Sequence, residues 1–188
     1  MSIGMMIIFS LIALVAFAVF WFIGAYNSFV RLKALLNEAW SGIDVQLKRR
    51  YDLIPNLVET VKGYQIHEKS TLENIAKYRS ASMHATGIAE KAAAESGLTQ
   101  TLKTLFAVAE NYPELKANEN FLRLQKQLST LEDEIQLARR YYNGTVRNYN
   151  MKVQMFPARI VAAIAGFKEA PFFELSTQSE REVPKISF

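Results

Sequence analysis

Arg50, Arg79, Glu132 and Arg139 are the residues whose types and spacing invite a chemical reading. Each falls on, or one turn from, a ladder of apolar residues at three- and four-residue steps, the pattern of a packed helix. In "LKRRYDLIPNLVETVKGY", Leu47 to Tyr64, Arg50 shares the ladder of Leu47, Ile54, Leu57 and Val61, and Pro55 lies inside it. A guanidinium in such a seam has two uses. It can pair with a carboxylate and fix the register of two helices. Alternatively, three Arg and one Glu around a deep pocket would leave surplus positive charge able to hold an anion, and with it an enzymatic reading.

Other chemistry is poorly supplied. His67 and His84 are the only histidines, and "HEKS" lacks the second His of a zinc helix motif. The absence of cysteine excludes a thiolate nucleophile and any sulfur-ligated metal. There is no Gly-rich phosphate loop and no G-x-S-x-G elbow, and Glu38, Glu59 and Glu110 are not paired with a His at ligand spacing. The reading therefore assigns no catalytic residue, no cofactor and no metal. A net charge of +4 is mild, with Lys and Arg scattered among Asp and Glu, so no nucleic-acid footprint is present.

The seams require long helices. One series on the first reads Leu36, Trp40, Ile43, Leu47, Arg50, Ile54, Leu57, Val61, Tyr64. On the last long helix, about Asn118 to Phe156, one position reads Phe121, Leu128, Ile135, Tyr142, Tyr149, Phe156 and its complement Gln125, Glu132, Arg139, Val146, Val153. If these helices run antiparallel with Tyr26 and Phe156 at the same end, residues at equal height sum to about 182. Arg50 then faces Glu132, and Trp40 faces Tyr142. Arg79 is a second partner for Glu132. Pro55 either bends the first helix or makes a new one start near Asp52.

A second helix is expected from about His67 to the mid-80s. "HATGIAEKAAAESGL" then reads as a broken connection, and a third helix covers Leu98 to Glu110, stopping before "NYPEL". Short loops between such helices give an all-α fold: a four-helix, up-down antiparallel bundle of coiled-coil type. Capping explains Asn118, and inter-helix hydrogen bonds to backbone or to partner chains would explain Asn56, Asn143 and Asn150, with plain surface exposure as the alternative.

Upstream, residues 5–25, "MMIIFSLIALVAFAVFWFIGA", carry no charge. At about 1.5 Å per residue they suffice to cross a hydrocarbon core of ~30 Å. No basic residue precedes the run, unlike a cleaved signal, so it reads as an uncleaved anchor in membrane lipid. Arg31 and Lys33 follow it, which favours the N-terminus outside and the bundle in the cytoplasm over the alternative of a periplasmic or extracellular body. The domain reading is 1–25 tail and anchor, 26–170 helical bundle, and 171–188 a partly disordered tail. "FPARIVAAIAGF" is too short to span a membrane; it covers the bundle's base, lies on the bilayer or docks on a second copy.

Three ordered blocks, "YNSFVRLKALLNEAWSGIDVQLKRRYDLIPNLVETVKGY", "YPELKANENFLRLQKQLSTLEDEIQLARRYYNGTVRNYN" and "FPARIVAAIAGF", resemble the LemA family of bacterial membrane proteins. The resemblance runs from Tyr26 to Glu174. It implies a short outer N-terminus, one membrane helix and a cytoplasmic helical bundle at the bacterial inner membrane, and supplies no catalytic residues. The expected function is a non-enzymatic, membrane-anchored scaffold or interaction protein that self-associates. The alternative is an adaptor or regulator of a membrane enzyme, such as a protease or a cell-envelope enzyme, which requires a membrane-protein partner.

Overall fold

The computed structural model describes residues 3–64 and 68–174. His67 and the tail from residue 175 onward, including its expected disorder, lie outside the described residues. Six helices follow in order: α1 Ile3–Lys62, α2 Lys69–His84, α3 Ile88–Ala109, α4 Pro113–Lys116, α5 Glu119–Gln154 and α6 Ala158–Ala165. No strand occurs among the described residues. The chain divides into two units, residues 1–40 with 141–170, and residues 41–140 with 171–188. Both α1 and α5 contribute to each.

α1 is continuous for 60 residues with Pro55 inside it, so no second helix starts at Asp52. Its first part contains one window long and apolar enough to cross a membrane, and none of that window is buried. Further on, the expected seam is buried at Ile43, Leu47, Arg50, Ile54, Leu57 and Val61.

In the unit of residues 1–40 and 141–170, Phe29, Tyr149, Val161 and Ala162 form the core, with Phe22, Ala25, Leu32 and Phe167 packed against it. Trp40 meets Tyr142 edge-on at 5.4 Å, a pair whose numbers total 182. Beyond α5 the chain passes a cis Phe156–Pro157 bond and comes back alongside the helix, so that Ala170 meets Asn150. α6 then ends at Gly166, whose φ of 74° is the left-handed conformation that glycine adopts without a Cβ clash. The Phe167 amide donates to the Ala162 carbonyl at 2.9 Å, closing the 6→1 turn of such caps. That turn carries the Phe167 ring back onto Phe29, stacked at 4.9 Å, with Tyr26 at 5.7 Å. Asn150 then holds the following segment, donating to the Ala170 carbonyl at 2.9 Å and accepting its amide at 2.8 Å. This is a side chain-to-backbone tie of the kind expected for it. Phe156, placed in the seam by its spacing, is instead 81% exposed, because α5 ends at Gln154 and the chain has already left the helical path.

In the unit of residues 41–140 and 171–188, α1 meets α5 at Arg50–Glu132, and Tyr64, just past α1, meets Asn118, just before α5; both pairs again total 182. Asn118 does two jobs: its Oδ1 accepts the Phe121 amide at 2.9 Å, capping α5, and its Nδ2 donates to the Tyr64 hydroxyl at 2.7 Å. The buried face of α5 here reads Phe121, Leu124, Leu128, Leu131, Ile135. Leu124 and Leu131, not Gln125 and Glu132, are thus its second core position, and Glu132 flanks the core. α3 begins at Ile88, ten residues earlier than the sequence suggested. Gly87 does mark a break, just before the helix, but the helix-forming alanines of "AEKAAAES" carry α3 through Gly97, which also looked like one. Gly97 sits inside α3 under the Tyr78 ring, where a Cβ would lie 2.4 Å from a ring carbon.

Candidate functional site

The extended α3 brings Glu95 into the seam. Arg50, 1% exposed, lies between two carboxylates. Its Nη1 donates to Glu132 Oε2 at 2.6 Å and to Thr99 Oγ1 at 3.1 Å, and its Nη2 pairs with Glu95 Oε2. The Glu95 carboxylate, 2% exposed, also accepts the Tyr51 hydroxyl. The Glu132 side chain retains 25% exposure, so the second carboxylate reaches water while the first does not. Three helices, α1, α3 and α5, therefore share one guanidinium.

Burial lowers the Arg50 pKa, and the facing Glu132 and Tyr51 oppose that shift. Burial raises the Tyr51 phenol, against the pull of Arg50. Physiological pH leaves Arg50 cationic and Tyr51 a neutral donor. Such a cluster stores no surplus positive charge: one Arg faces two Glu, and the anion-holding arrangement of three Arg and one Glu is not what forms.

Arg79 does not pair with Glu132. Its Nε donates to the Tyr51 carbonyl at 2.8 Å. The reason lies four residues downstream. Pro55 has no amide hydrogen, so the carbonyl of Tyr51, the acceptor that residue 55 would serve, has no helical donor. Arg79, from α2, supplies it, and α1 continues through its proline. Arg139, half-buried two turns of α5 beyond Glu132, takes no part in the cluster.

Around this core lie surface pairs. Arg49 bonds Glu134 at 3.1 Å, and Lys91 bonds Asp44 at 2.8 Å. A cavity of about 170 Å³ opens beside Arg50, Thr99 and Glu132, walled by Leu102, Phe106 and Leu128. Its volume falls below the range of roughly 300–1,000 Å³ common to ligand sites. Among the described residues no group of three or more His, Asp or Glu is placed to hold a metal ion.

Residues 39–188 match the family model described as the LemA family. The chain belongs to the LemA family. Its curated relatives include the LemA protein of Metamycoplasma hominis, 28% identical over 174 residues that cover 89% of this chain and 78% of that protein. They also include magnetosome protein MamQ of Magnetospirillum gryphiswaldense and magnetosome protein MamQ 1 of Paramagnetospirillum magneticum. Each of these is 26% identical over 195 residues, covering 90% of this chain and 71% of the relative. The LemA-matched region contains every member of the polar cluster and leaves out residues 5–25.

Within the LemA region, Glu95 is the functional-looking residue that sequence reasoning passed over. A signal for it exists: Glu95, Leu98, Leu102, Leu105 and Ala109 recur at steps of three and four. Tyr51, four residues after Leu47 and three before Ile54, also sits on the apolar ladder, where a tyrosine reads as ordinary core.

Proposed function

We propose that this chain is a non-enzymatic helical scaffold anchored in the bacterial inner membrane through residues 5–25, with its N-terminus outside and residues 26–170 forming a four-helix, up-down bundle in the cytoplasm. The scaffold self-associates. The observation that carries the reading is α1 itself. One uninterrupted helix begins as an unburied apolar run and goes on to supply a buried core seam with a guanidinium in it. An apolar window of that length with nothing packed on it calls for lipid. Support for the orientation comes from Arg31 and Lys33, which follow the run. The buried Arg50 cluster is assigned the task of fixing helix register, since its bonds are directional and reach three helices.

Carbonate extraction of cell membranes tests the anchor: the protein stays with the bilayer, and its release would end the reading. Crosslinking in intact membranes followed by mass spectrometry tests the scaffold. Links between copies of this chain are expected, whereas a stoichiometric foreign membrane enzyme without self-links would favour an adaptor. A monomer across micromolar concentrations in detergent would remove self-association.

A further inference from the structure

α6 has two faces. Val161 and Ala162 are buried against Phe29, in a core that also packs Phe22 and Ala25, the last turn of the apolar run. On the other side Ile160 and Ile164 are exposed at 49% and 69%, and Phe156, just before the helix begins, at 81%. Residues four apart share one face of a helix, so Ile160 and Ile164 make an apolar stripe on an element packed against the end of the membrane anchor.

The surrounding charge is one-sided. Residues 1–40 and 141–170 contain six Lys or Arg (Arg31, Lys33, Arg147, Lys152, Arg159 and Lys168) against two acidic residues, Glu38 and Glu169. That excess of four equals the net charge of the whole chain, +4. Trp21 and Tyr26, both partly exposed, lie at the end of the same run, the position where amphipathic rings meet lipid headgroups.

We propose that α6 is an interfacial helix: its Ile160 and Ile164 face, with the exposed Phe156 ahead of it, enters the headgroup–acyl boundary of an anionic bilayer beside the point where α1 leaves it. An apolar stripe flanked by cations is the composition of helices that lie in that boundary, ~5–10 Å deep. Continuity with the anchor selects lipid over a second copy as the occupant. The inference rests on the anchored reading above.

The chain has no cysteine, so a single introduced thiol is uniquely labelled. Full-length Ile160→Cys, Ile164→Cys, Leu14→Cys and Lys126→Cys variants, each carrying a fluorophore, are reconstituted into phosphatidylcholine vesicles containing one quarter phosphatidylglycerol. Lipids with a nitroxide high or low on the acyl chain then serve as quenchers. Quenching at positions 160 and 164 mainly by the shallow nitroxide, at 14 mainly by the deep one, and at 126 by neither is the expected result. Positions 160 and 164 behaving like 126 while 14 is deeply quenched overturns the inference and leaves the anchor standing. Labels at 160 and 164 shielded from lipid and water alike, with spin coupling between copies when nitroxides replace the fluorophore, assign the face to a second copy and also overturn it. Failure of quenching at 14 removes the anchor, and the inference with it.

Discussion

In the unit of residues 1–40 and 141–170, α1 and α5 meet over rings: Phe29 with Tyr149 at 6.4 Å, Trp40 with Tyr142 at 5.4 Å. In the unit of residues 41–140, the same two helices meet over a guanidinium shared by Glu95 and Glu132. Apolar contacts scale with area and tolerate small sliding. Charge-assisted hydrogen bonds do not, because a fork displaced by one turn loses its acceptors. The charges divide the same way. The first unit carries the chain's excess of cations, whereas the second is balanced, with 16 Lys or Arg and 16 Asp or Glu across residues 41–140 and 171–188. The three-helix charge cluster lies in the unit whose charges are matched; in the other, α1 and α5 meet mainly over rings, with a Lys152–Ser28 hydrogen bond beside them.

The sharpest way to break this contrast is Arg50→Met, which leaves Glu95 buried without its cation. A loss of about 3–5 kcal/mol is expected, read as a fall in the thermal midpoint in detergent. Arg50→Met with Glu95→Met recovers part of it; a double variant no better than the single would mean that the carboxylate is not what suffers.

Phe29→Ala should cost about 3 kcal/mol through the cavity left among Phe167, Tyr149 and Val161. Its signature is faster amide exchange in Ala158–Ala170, while the amides of α3 keep their protection. Equal loosening in α3 would erase the distinction between the units.

Arg79→Met should cost about 1.5–3 kcal/mol, since it leaves the Tyr51 carbonyl without a donor. The coupling is specific: in a Pro55→Ala background the restored amide serves that carbonyl, and Arg79→Met becomes cheaper. Additive costs in this double-mutant cycle would refute the link.

Much of this frame was legible in the chain. Heptad steps located α1 and α5, and the pairing that totals 182 followed from setting Tyr26 and Phe156 at the same end of two antiparallel helices. Arg50 was visible because it interrupts an apolar ladder. Glu95 was not, because an alanine-rich stretch between two glycines imitates a linker, and only the packing of Tyr78 over Gly97 reveals the helix. The target of Arg79 was hidden for a different reason. Side-chain periodicity says nothing about which backbone carbonyl a proline orphans. Phe156 misled because a periodic pattern does not record where a helix stops.

A smaller effect separates the units again. Asn150→Ala removes both bonds to Ala170, and about 1–2 kcal/mol is expected, with the Ala170 amide losing exchange protection. Protection that persists would show the 167–170 segment held by Phe167 alone.

The least effect comes from pH. Burial raises the phenols of Tyr51, Tyr142 and Tyr149. A group raised on folding adds stability that is complete below its unfolded value, about 10, and disappears as pH climbs through the folded one. Stability should therefore be level across neutral pH and decline above about pH 10. Tyr51→Phe should make that decline shallower; an unchanged alkaline slope would mean that Tyr51 does not contribute.

The bond from Arg79 to the Tyr51 carbonyl means that part of α1 is not self-sufficient. A peptide cut out as residues 41–62 would fray at the turn before its proline, whereas the intact chain keeps that turn wound because a neighbouring helix reaches across to finish it. Secondary structure at this spot is thus supported by a tertiary contact from α2.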